Sequence, residues 1–203
     1  RYYDGADPDD IWAVRSAGID PSNGKELFYA KDGGYTYDFT YDDEVICGNT
    51  RPDVEGVIGS SLNWKGFSVS SNFRYQMGAD VFNEALYNKV ENISRNDLNK
   101  NQDKRALYER WQEVGDIVHF KDIASAETTP MSSRFVQTEN VLTLESLYLG
   151  YEFYNGWIEK LGLSSLKLQF SMRDVFRAST IRSERGIAYP FARSMEAGLS
   201  FNF

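Results

Sequence analysis

The sequence predicts an all-β fold whose strands form part of the wall of a transmembrane antiparallel β-barrel. In the last nine residues, 195–203, apolar and polar side chains alternate up to the terminal Phe203. An extended strand places such alternating side chains on opposite faces. The segments with this pattern are joined by connections of very unequal length. Finally, no run of about 18 apolar residues exists to form a spanning helix, whereas a barrel strand needs only about 10 alternating residues.

Composition agrees with half-polar strands. Of the 203 residues, 41% are hydrophobic, which is enough to build a core, and 15% are aromatic. The formal net charge of -8 argues against a nucleic-acid partner, because phosphate binding requires a clustered basic face. The first residues, Arg-Tyr-Tyr-Asp-Gly, have no features of a signal peptide, and we expect the chain to be a portion of a longer protein.

Residues 1–53 are predicted to be a loop and hairpin region. A short strand is expected over 11–18, followed by the turn sequence Gly18–Gly24. Strands over 26–31 and 35–41 flank Asp-Gly-Gly, which is typical of a hairpin turn.

Residues 54–78 are predicted to be a barrel hairpin. Two alternating segments, 54–64 and 67–77, are separated only by Lys65 and Gly66. A two-residue connection containing glycine predicts an antiparallel pair.

Residues 79–141 form the longest stretch without strand periodicity. Short helices are expected over 80–90 and 103–111. A connection of this length is uncommon in a compact soluble domain and is usually a functional loop.

Residues 142–203 are predicted to hold three more strands, 142–153, 165–176 and 192–203, with an irregular loop over 177–191. Leu142 and Leu144 have the opposite parity to Leu147, which predicts a β-bulge near Glu145.

The lengths of the connections predict the orientation in a membrane. If the C-terminus is periplasmic, both short connections fall on the periplasmic side and both long ones outside, as outer-membrane barrels require. The same assignment places aromatic side chains at the periplasmic ends of four strands, which is typical of an aromatic girdle. The predicted girdle consists of Trp64, Phe67, Tyr151, Phe153, Phe201 and Phe203.

The opposite face is too polar for a packed core and is predicted to face the barrel lumen, where it contacts a plug or substrate. Its candidate residues are Arg74, Gln76, Tyr148, Lys167, Gln169, Arg173 and Glu196. Five strands cannot close a barrel, because the smallest membrane barrels have eight. We therefore expect other strands to complete the wall.

Several motifs occur in an order that resembles the SusC/RagA-like group of TonB-dependent outer-membrane transporters of Bacteroidetes. They are Gly18–Gly24, Trp64–Phe67 followed by Arg74–Gly78, Lys104–Trp111 with Gly115-Asp116, Ser133–Phe135, Leu144–Tyr151, the strand Ser165–Phe176 and the tail Ala188–Phe203.

This resemblance implies the C-terminal part of a 22-stranded barrel in the outer membrane of a Gram-negative bacterium. It also implies a SusD-like lipoprotein lid, import of oligosaccharides or peptides, contact with outer-membrane lipid, and energy coupling to the TonB complex through a segment outside this sequence. A terminal aromatic, here Phe203, resembles the signal read by barrel-assembly machinery.

The sequence alone leaves two alternatives. A secreted β-sandwich that binds carbohydrate would show the same alternation and would fold in soluble form. An enzyme is disfavoured, since the single histidine, His119, has no paired nucleophile signature. One histidine and one cysteine, Cys47, also predict no metal site, no internal disulfide and no cofactor.

Overall fold

A computed structural model describes residues 4–125, 127–154, 156–181 and 193–203. Its strands are β1 (Asp10–Val14), β2 (Ser16–Ile19), β3 (Glu26–Tyr29), β4 (Tyr35–Thr36), β5 (Glu44–Asn49), β6 (Val54–Trp64), β7 (Phe67–Phe82), β8 (Val136–Phe153), β9 (Ser165–Ser179) and β10 (Ser194–Asn202). Its helical segments are 3-10 turns at Tyr41–Asp43, Arg95–Asp97 and Ser133–Phe135, a π-helix at Leu86–Glu91, and the short α-helices α1 (Arg105–Tyr108) and α2 (Gly156–Glu159).

Strands are the main regular secondary structure of the described residues, as the sequence predicted. No helix among them is long and apolar enough to cross a membrane. The chain divides into two compact units. Unit 1 comprises Arg1–Arg51 and Ala79–Glu139, and unit 2 comprises Pro52–Gly78 and Asn140–Phe203.

Five strands form one sheet in the order β6, β7, β8, β9, β10, so that neighbours in sequence are neighbours in the sheet. β6 pairs antiparallel with β7, and β9 pairs antiparallel with both β8 and β10. This is the up-and-down arrangement expected of barrel strands. The sheet does not close on itself among the described residues.

The predicted two-residue turn between β6 and β7 is confirmed. Lys65 and Gly66 have φ angles of 45° and 89°, as a type I′ turn requires. Gly66 is needed for a second reason, since a Cβ added to it would lie 2.6 Å from the main-chain oxygen of Glu152. The hairpin then pairs without interruption from Trp64 and Phe67 to Val54 and Met77.

The β-bulge predicted near Glu145 is also confirmed. Ser146 pairs with Arg173 and Leu144 pairs with Phe176, so β9 uses one more residue than β8 between these pairs. On β9, Asp174 and Val175 lie between these two pairs, and Asp174 has a φ of 51°. Because the extra residue is in β9, the side-chain parity changes along β9, whereas Leu142 and Leu144 of β8 keep the regular alternation and lie on the same face as Ser146.

The core of unit 1 is formed by residues from four places in the chain. Its buried members are Leu86, Val90, Ala106, Phe120 and Phe135, with Phe82, Tyr87 and Ile93 packed against them. In the rest of the unit, β1 pairs with β5, and β2, β3 and β4 form a three-stranded sheet.

Several predicted boundaries were wrong. The helix expected over 80–90 begins only after β7 ends at Phe82, because the Asn83 side chain accepts a hydrogen bond from the Leu86 amide at 3.0 Å and starts the helical turn there. The helix expected over 103–111 is limited to α1, and the strand expected over 11–18 is divided between β1 and β2. β9 continues to Ser179, into the expected loop, and residues 182–191 of that loop lie outside the described residues.

Candidate functional site

The apolar face of the five-stranded sheet carries the predicted aromatic cluster at one end. Phe153, Leu166 and Phe201 are paired across β8, β9 and β10. The rings of Phe67 and Tyr151 lie 4.3 Å apart between centroids, and those of Tyr151 and Phe153 lie 4.4 Å apart. Most of the predicted girdle residues therefore meet at one level of the sheet.

Two further aromatic residues, Phe203 and Trp157, lie at this end of the sheet. Phe203 follows β10 and is 92% exposed. Trp157, which sequence reasoning missed, lies in α2 and contacts Phe153 with a centroid separation of 5.7 Å. Residues 154–163 have no alternation to indicate a face, but an aromatic residue four positions beyond a strand end was an available signal.

The rest of this face is mostly apolar and is exposed. Ile58, Leu62 and Leu199 are each about 60% exposed, at 61%, 63% and 59%. Contiguous exposed apolar surface of this kind marks a contact with lipid or with another protein.

On the opposite face, two polar side chains of β7, Arg74 and Gln76, have partners on neighbouring strands. Arg74 donates through Nε to Oε1 of Glu145 at 2.5 Å. Gln76 donates through Nε2 to Oε2 of Glu55 at 3.3 Å. These two predicted lumen residues are therefore held by carboxylates.

The remaining candidates of this face lie on β8, β9 and β10. The Lys167 ammonium lies 6.0 Å from the ring centroid of Tyr148. Glu196 accepts a hydrogen bond from Ser171 at 3.4 Å. Arg173 is paired with Ser194 on one side and Ser146 on the other. The three strands bring these side chains to one polar surface.

Gln169 lies in register between two glycines, Gly150 of β8 and Gly198 of β10. A Cβ on Gly198 would lie 2.7 Å from Nε2 of Gln169, and a Cβ on Gly150 would lie 2.8 Å from the Tyr148 hydroxyl. The glycines thus give room for large polar side chains to lie along the sheet. Alternation alone did not reveal this role.

Unit 1 contains a buried ion network that sequence reasoning also missed. Arg134 donates to Glu26 at 2.9 Å and to Glu91 at 2.7 Å. Ser132 donates to the same Glu26 at 2.5 Å. Burial opposes the charge of Arg134, but its hydrogen bonds to both carboxylates hold the pKa of the guanidinium above its usual value. The motif Ser133–Phe135 therefore connects segments that are far apart in sequence.

The described residues contain no group of three or more His, Cys, Asp or Glu side chains that could hold a metal ion. His119 contributes a main-chain oxygen, which accepts a hydrogen bond from Arg134 at 2.5 Å.

An exposed apolar face, a polar opposite face and an antiparallel meander are together typical of a segment of β-barrel wall. No known family model matches the chain. It is 25% identical over 171 residues to the TonB-dependent receptor P39 of Formosa agariphila, covering 82% of this chain and 16% of the receptor.

The fold is similar to solved structures of the RagAB peptide importer. The open-open state matches with a TM-score of 0.77 and 21% identity, over 96% of this chain and 22% of that one. The closed-closed state matches with a TM-score of 0.75 and 22% identity, over 96% of this chain and 23% of that one. The resemblance to SusC/RagA-like TonB-dependent transporters is thereby confirmed, for a chain that spans less than a quarter of these relatives.

Proposed function

We propose that this chain is the C-terminal portion of the barrel wall of a TonB-dependent outer-membrane transporter that imports oligosaccharides or peptides. The observation that carries the proposal is the apolar face of the five-stranded sheet, which is exposed over its whole width. The similarity of the chain to a TonB-dependent receptor and to a peptide importer supports the same assignment. These relatives are a receptor and an importer, which fits a protein that is not an enzyme.

In this proposal the complete barrel has 22 strands and the C-terminus is periplasmic. The Lys65-Gly66 turn and the connection between β8 and β9 lie in the periplasm, while residues 1–53 and 79–141 lie outside the cell. The aromatic cluster is the periplasmic girdle, in contact with lipid head groups. The polar face, from Arg74 to Glu196, lines the lumen and contacts a plug or substrate.

The partners follow from the same placement. Both edge strands, β6 and β10, require neighbours, since unpaired main-chain groups in a bilayer cost several kcal/mol each. The remainder of the barrel supplies those neighbours. A SusD-like lipoprotein covers the outer side as a lid, and the TonB complex acts through an N-terminal segment outside this sequence.

The experiment that tests the wall assignment compares neighbouring residues of β9. Lys167→Cys and Leu168→Cys are made separately in a Cys47→Ser background, spin-labelled, and reconstituted in lipid. We expect the label at 168 to be relaxed by oxygen, which concentrates in hydrocarbon, and the label at 167 by a water-soluble nickel chelate. Adjacent strand residues face opposite sides, so the contrast is internal to the strand.

A second pair, Leu199→Cys and Ser200→Cys, provides the same comparison on β10. Equal accessibility to the nickel chelate at all four positions would refute the assignment. That outcome would favour the β-sandwich, which requires a second sheet against the apolar face. The described residues of unit 2 form one sheet only.

The lid is tested by purifying the tagged transporter from outer membranes under mild detergent. A co-purifying surface lipoprotein is the expected result. Uptake of labelled oligosaccharides and labelled peptides by cells with and without the gene then separates the two substrate classes.

A further inference from the structure

Unit 1 contains a cavity of about 760 Å³ whose walls come from two segments of the chain. The first segment includes Tyr87, Glu91 and Leu98, and the second includes Arg110 and Lys121. Amide and hydroxyl groups add hydrogen-bonding capacity to the lining, at Asn88, Asn92, Ser94, Ser125 and Thr128.

Two cations of this lining are buried. Arg110 is 4% exposed and Lys121 is 9% exposed. Arg110 donates to the main-chain oxygens of Lys121, Val90 and Glu91. Lys121 donates through Nζ to the main-chain oxygen of Glu127. Both positive charges are thus bonded to neutral carbonyl groups.

The nearby carboxylate of Glu91 is hydrogen-bonded to groups other than the Arg110 and Lys121 side chains. Glu91 is 1% exposed, and its Oε1 accepts hydrogen bonds from Arg134 at 2.7 Å and from Thr129 at 2.8 Å. Its Oε2 accepts the main-chain amide of Lys121 at 3.4 Å. Within the described part of the chain, the ion pairs of this network are those of Arg134 with Glu26 and Glu91.

The network therefore holds three buried or nearly buried cations, Arg110, Lys121 and Arg134, against two buried carboxylates, Glu26 and Glu91. Asp122 and Glu127 also act on Arg110 and Lys121 respectively, but neither is buried and neither forms an ion pair with them. Buried charges are costly unless they are paired. The Nε atom of Arg110 is buried and has no hydrogen-bond partner. Burial lowers the pKa of both Arg110 and Lys121, as expected where positive charge lacks full compensation.

We propose that this cavity binds an oxyanion group, a carboxylate, sulfate or phosphate, whose negative charge compensates Lys121 and Arg110. The hydroxyl and amide groups of the lining supply further donors to its oxygen atoms. Leu98 and Ile123, which are 52% and 56% exposed, form an apolar part of the lining beside the cations. A ligand with an anionic head group and a less polar body fits this distribution.

The test measures binding of sulfate, phosphate and acetate, each against chloride at equal ionic strength, by titration calorimetry on the full-length protein in detergent. We expect saturable binding of at least one oxyanion. Lys121→Met, which removes the charge with little change in length, should weaken it about tenfold or more, the usual value of a charged hydrogen bond. Lys100→Met is the matched control, because Lys100 is an exposed lysine of the same unit outside the cavity.

Glu127→Gln is a second, independent variant. It keeps the hydrogen bond from Lys121 Nζ to the main-chain oxygen of residue 127. It removes a negative charge from the lining and should tighten binding by about twofold or more. Sulfate and phosphate binding without acetate binding would identify a tetrahedral anion, and the reverse would identify a carboxylate. The proposal would be overturned if no oxyanion gave a heat of binding above that of chloride. Equal oxyanion affinities of Lys121→Met and Lys100→Met would also overturn it. Since transport is not measured, failure here is separate from failure of the proposed function.

Discussion

Trp111 lies directly against Gly24, although 86 residues separate them. A Cβ built on Gly24 would be 2.6 Å from ring atom Cδ2 of Trp111. The indole Nε1 donates to the Pro21 oxygen at 3.0 Å, and the Gly115 amide donates to the same oxygen at 2.9 Å. Two of the motifs that carry the resemblance to SusC/RagA-like proteins, Gly18–Gly24 and Lys104–Trp111, are therefore in contact within unit 1.

This contact predicts that Gly24→Ala destabilises the local structure by about 2–4 kcal/mol, through both overpacking and strain at a φ of 68°. Gly33→Ala is the control, since Gly33 has a φ of 89° with open space around its Cβ position. Its cost is limited to about 1–2 kcal/mol of strain. Hydrogen exchange over residues 20–24 and 111–115 measures the difference, and equal effects would contradict the packing explanation.

Arg134→Met is expected to reduce the stability of unit 1 by about 3–5 kcal/mol, because it leaves Glu91 and Glu26 buried without their cation. Arg51→Met is the control. Arg51 pairs with Asp7 and Asp9 at the surface, with 63% of its side chain exposed, and its loss should change little. Hydrogen-exchange protection of Leu86–Glu91 reports the effect. Similar protection in the two variants would show that the network does not stabilise the fold.

Tyr87 gives a prediction for alkaline pH. Burial raises the pKa of its phenol, whose hydroxyl donates to the Thr129 oxygen at 2.8 Å. The Tyr87 phenol therefore stays neutral up to a higher pH in the folded protein than in the unfolded chain. The stabilisation is complete below the unfolded pKa of about 10 and is lost as pH rises from there through the folded pKa.

Tyr87→Phe should accordingly lower stability by about 1 kcal/mol at pH 8 and flatten the decline above pH 10. Tyr108→Phe is the matched control, since Tyr108 is 75% exposed. Thermal unfolding at a series of pH values provides the measurement. An unchanged slope above pH 10 in Tyr87→Phe would exclude this residue as its source.

Sequence alternation predicted the strands of unit 2 well where side chains face two different environments. The opposite parity of Leu144 and Leu147 also predicted an irregularity at the correct position, although the extra residue lies in β9 and not in β8. It missed the first six residues of β8, Val136–Val141, since main-chain pairing continues there without regular alternation. Alternation reports the environment of side chains and carries little information on hydrogen bonding of the main chain.

The buried ion network of unit 1 could not be predicted from the sequence, for a different reason. Glu26 and Arg134 are 108 residues apart, and neither has a local pattern that marks it as buried. Charged residues are mostly exposed, so a single sequence favours solvent contact for each of them. Only the fold of unit 1 reveals that Ser133–Phe135 brings the guanidinium between two carboxylates.

Gly66→Ala is predicted to impair folding of the β6–β7 hairpin strongly, since the added methyl group would meet the Glu152 main-chain oxygen. Lys65→Asn should be tolerated or stabilising, because asparagine readily adopts the positive φ of a type I′ turn. Heat-modifiable mobility in gel electrophoresis gives the folded fraction of each variant. Equal folded fractions for the two would contradict the steric argument.

Phe203 tests the proposed assembly signal. It is 92% exposed and lies beyond the last residue of β10, Asn202, so its removal leaves the paired strand intact. Under the barrel proposal, deletion of Phe203 should lower the amount of assembled protein in the outer membrane several-fold, while transport per assembled molecule stays unchanged. Phe203→Tyr, which keeps a terminal aromatic ring, should restore the amount.

Phe201→Ala is the contrasting change. It leaves the terminal residue in place but removes a ring from the aromatic cluster, and it should reduce stability more than yield. Quantitative immunoblotting of membranes and uptake normalised to that amount separate the two effects, and a normal yield without Phe203 would rule out the signal.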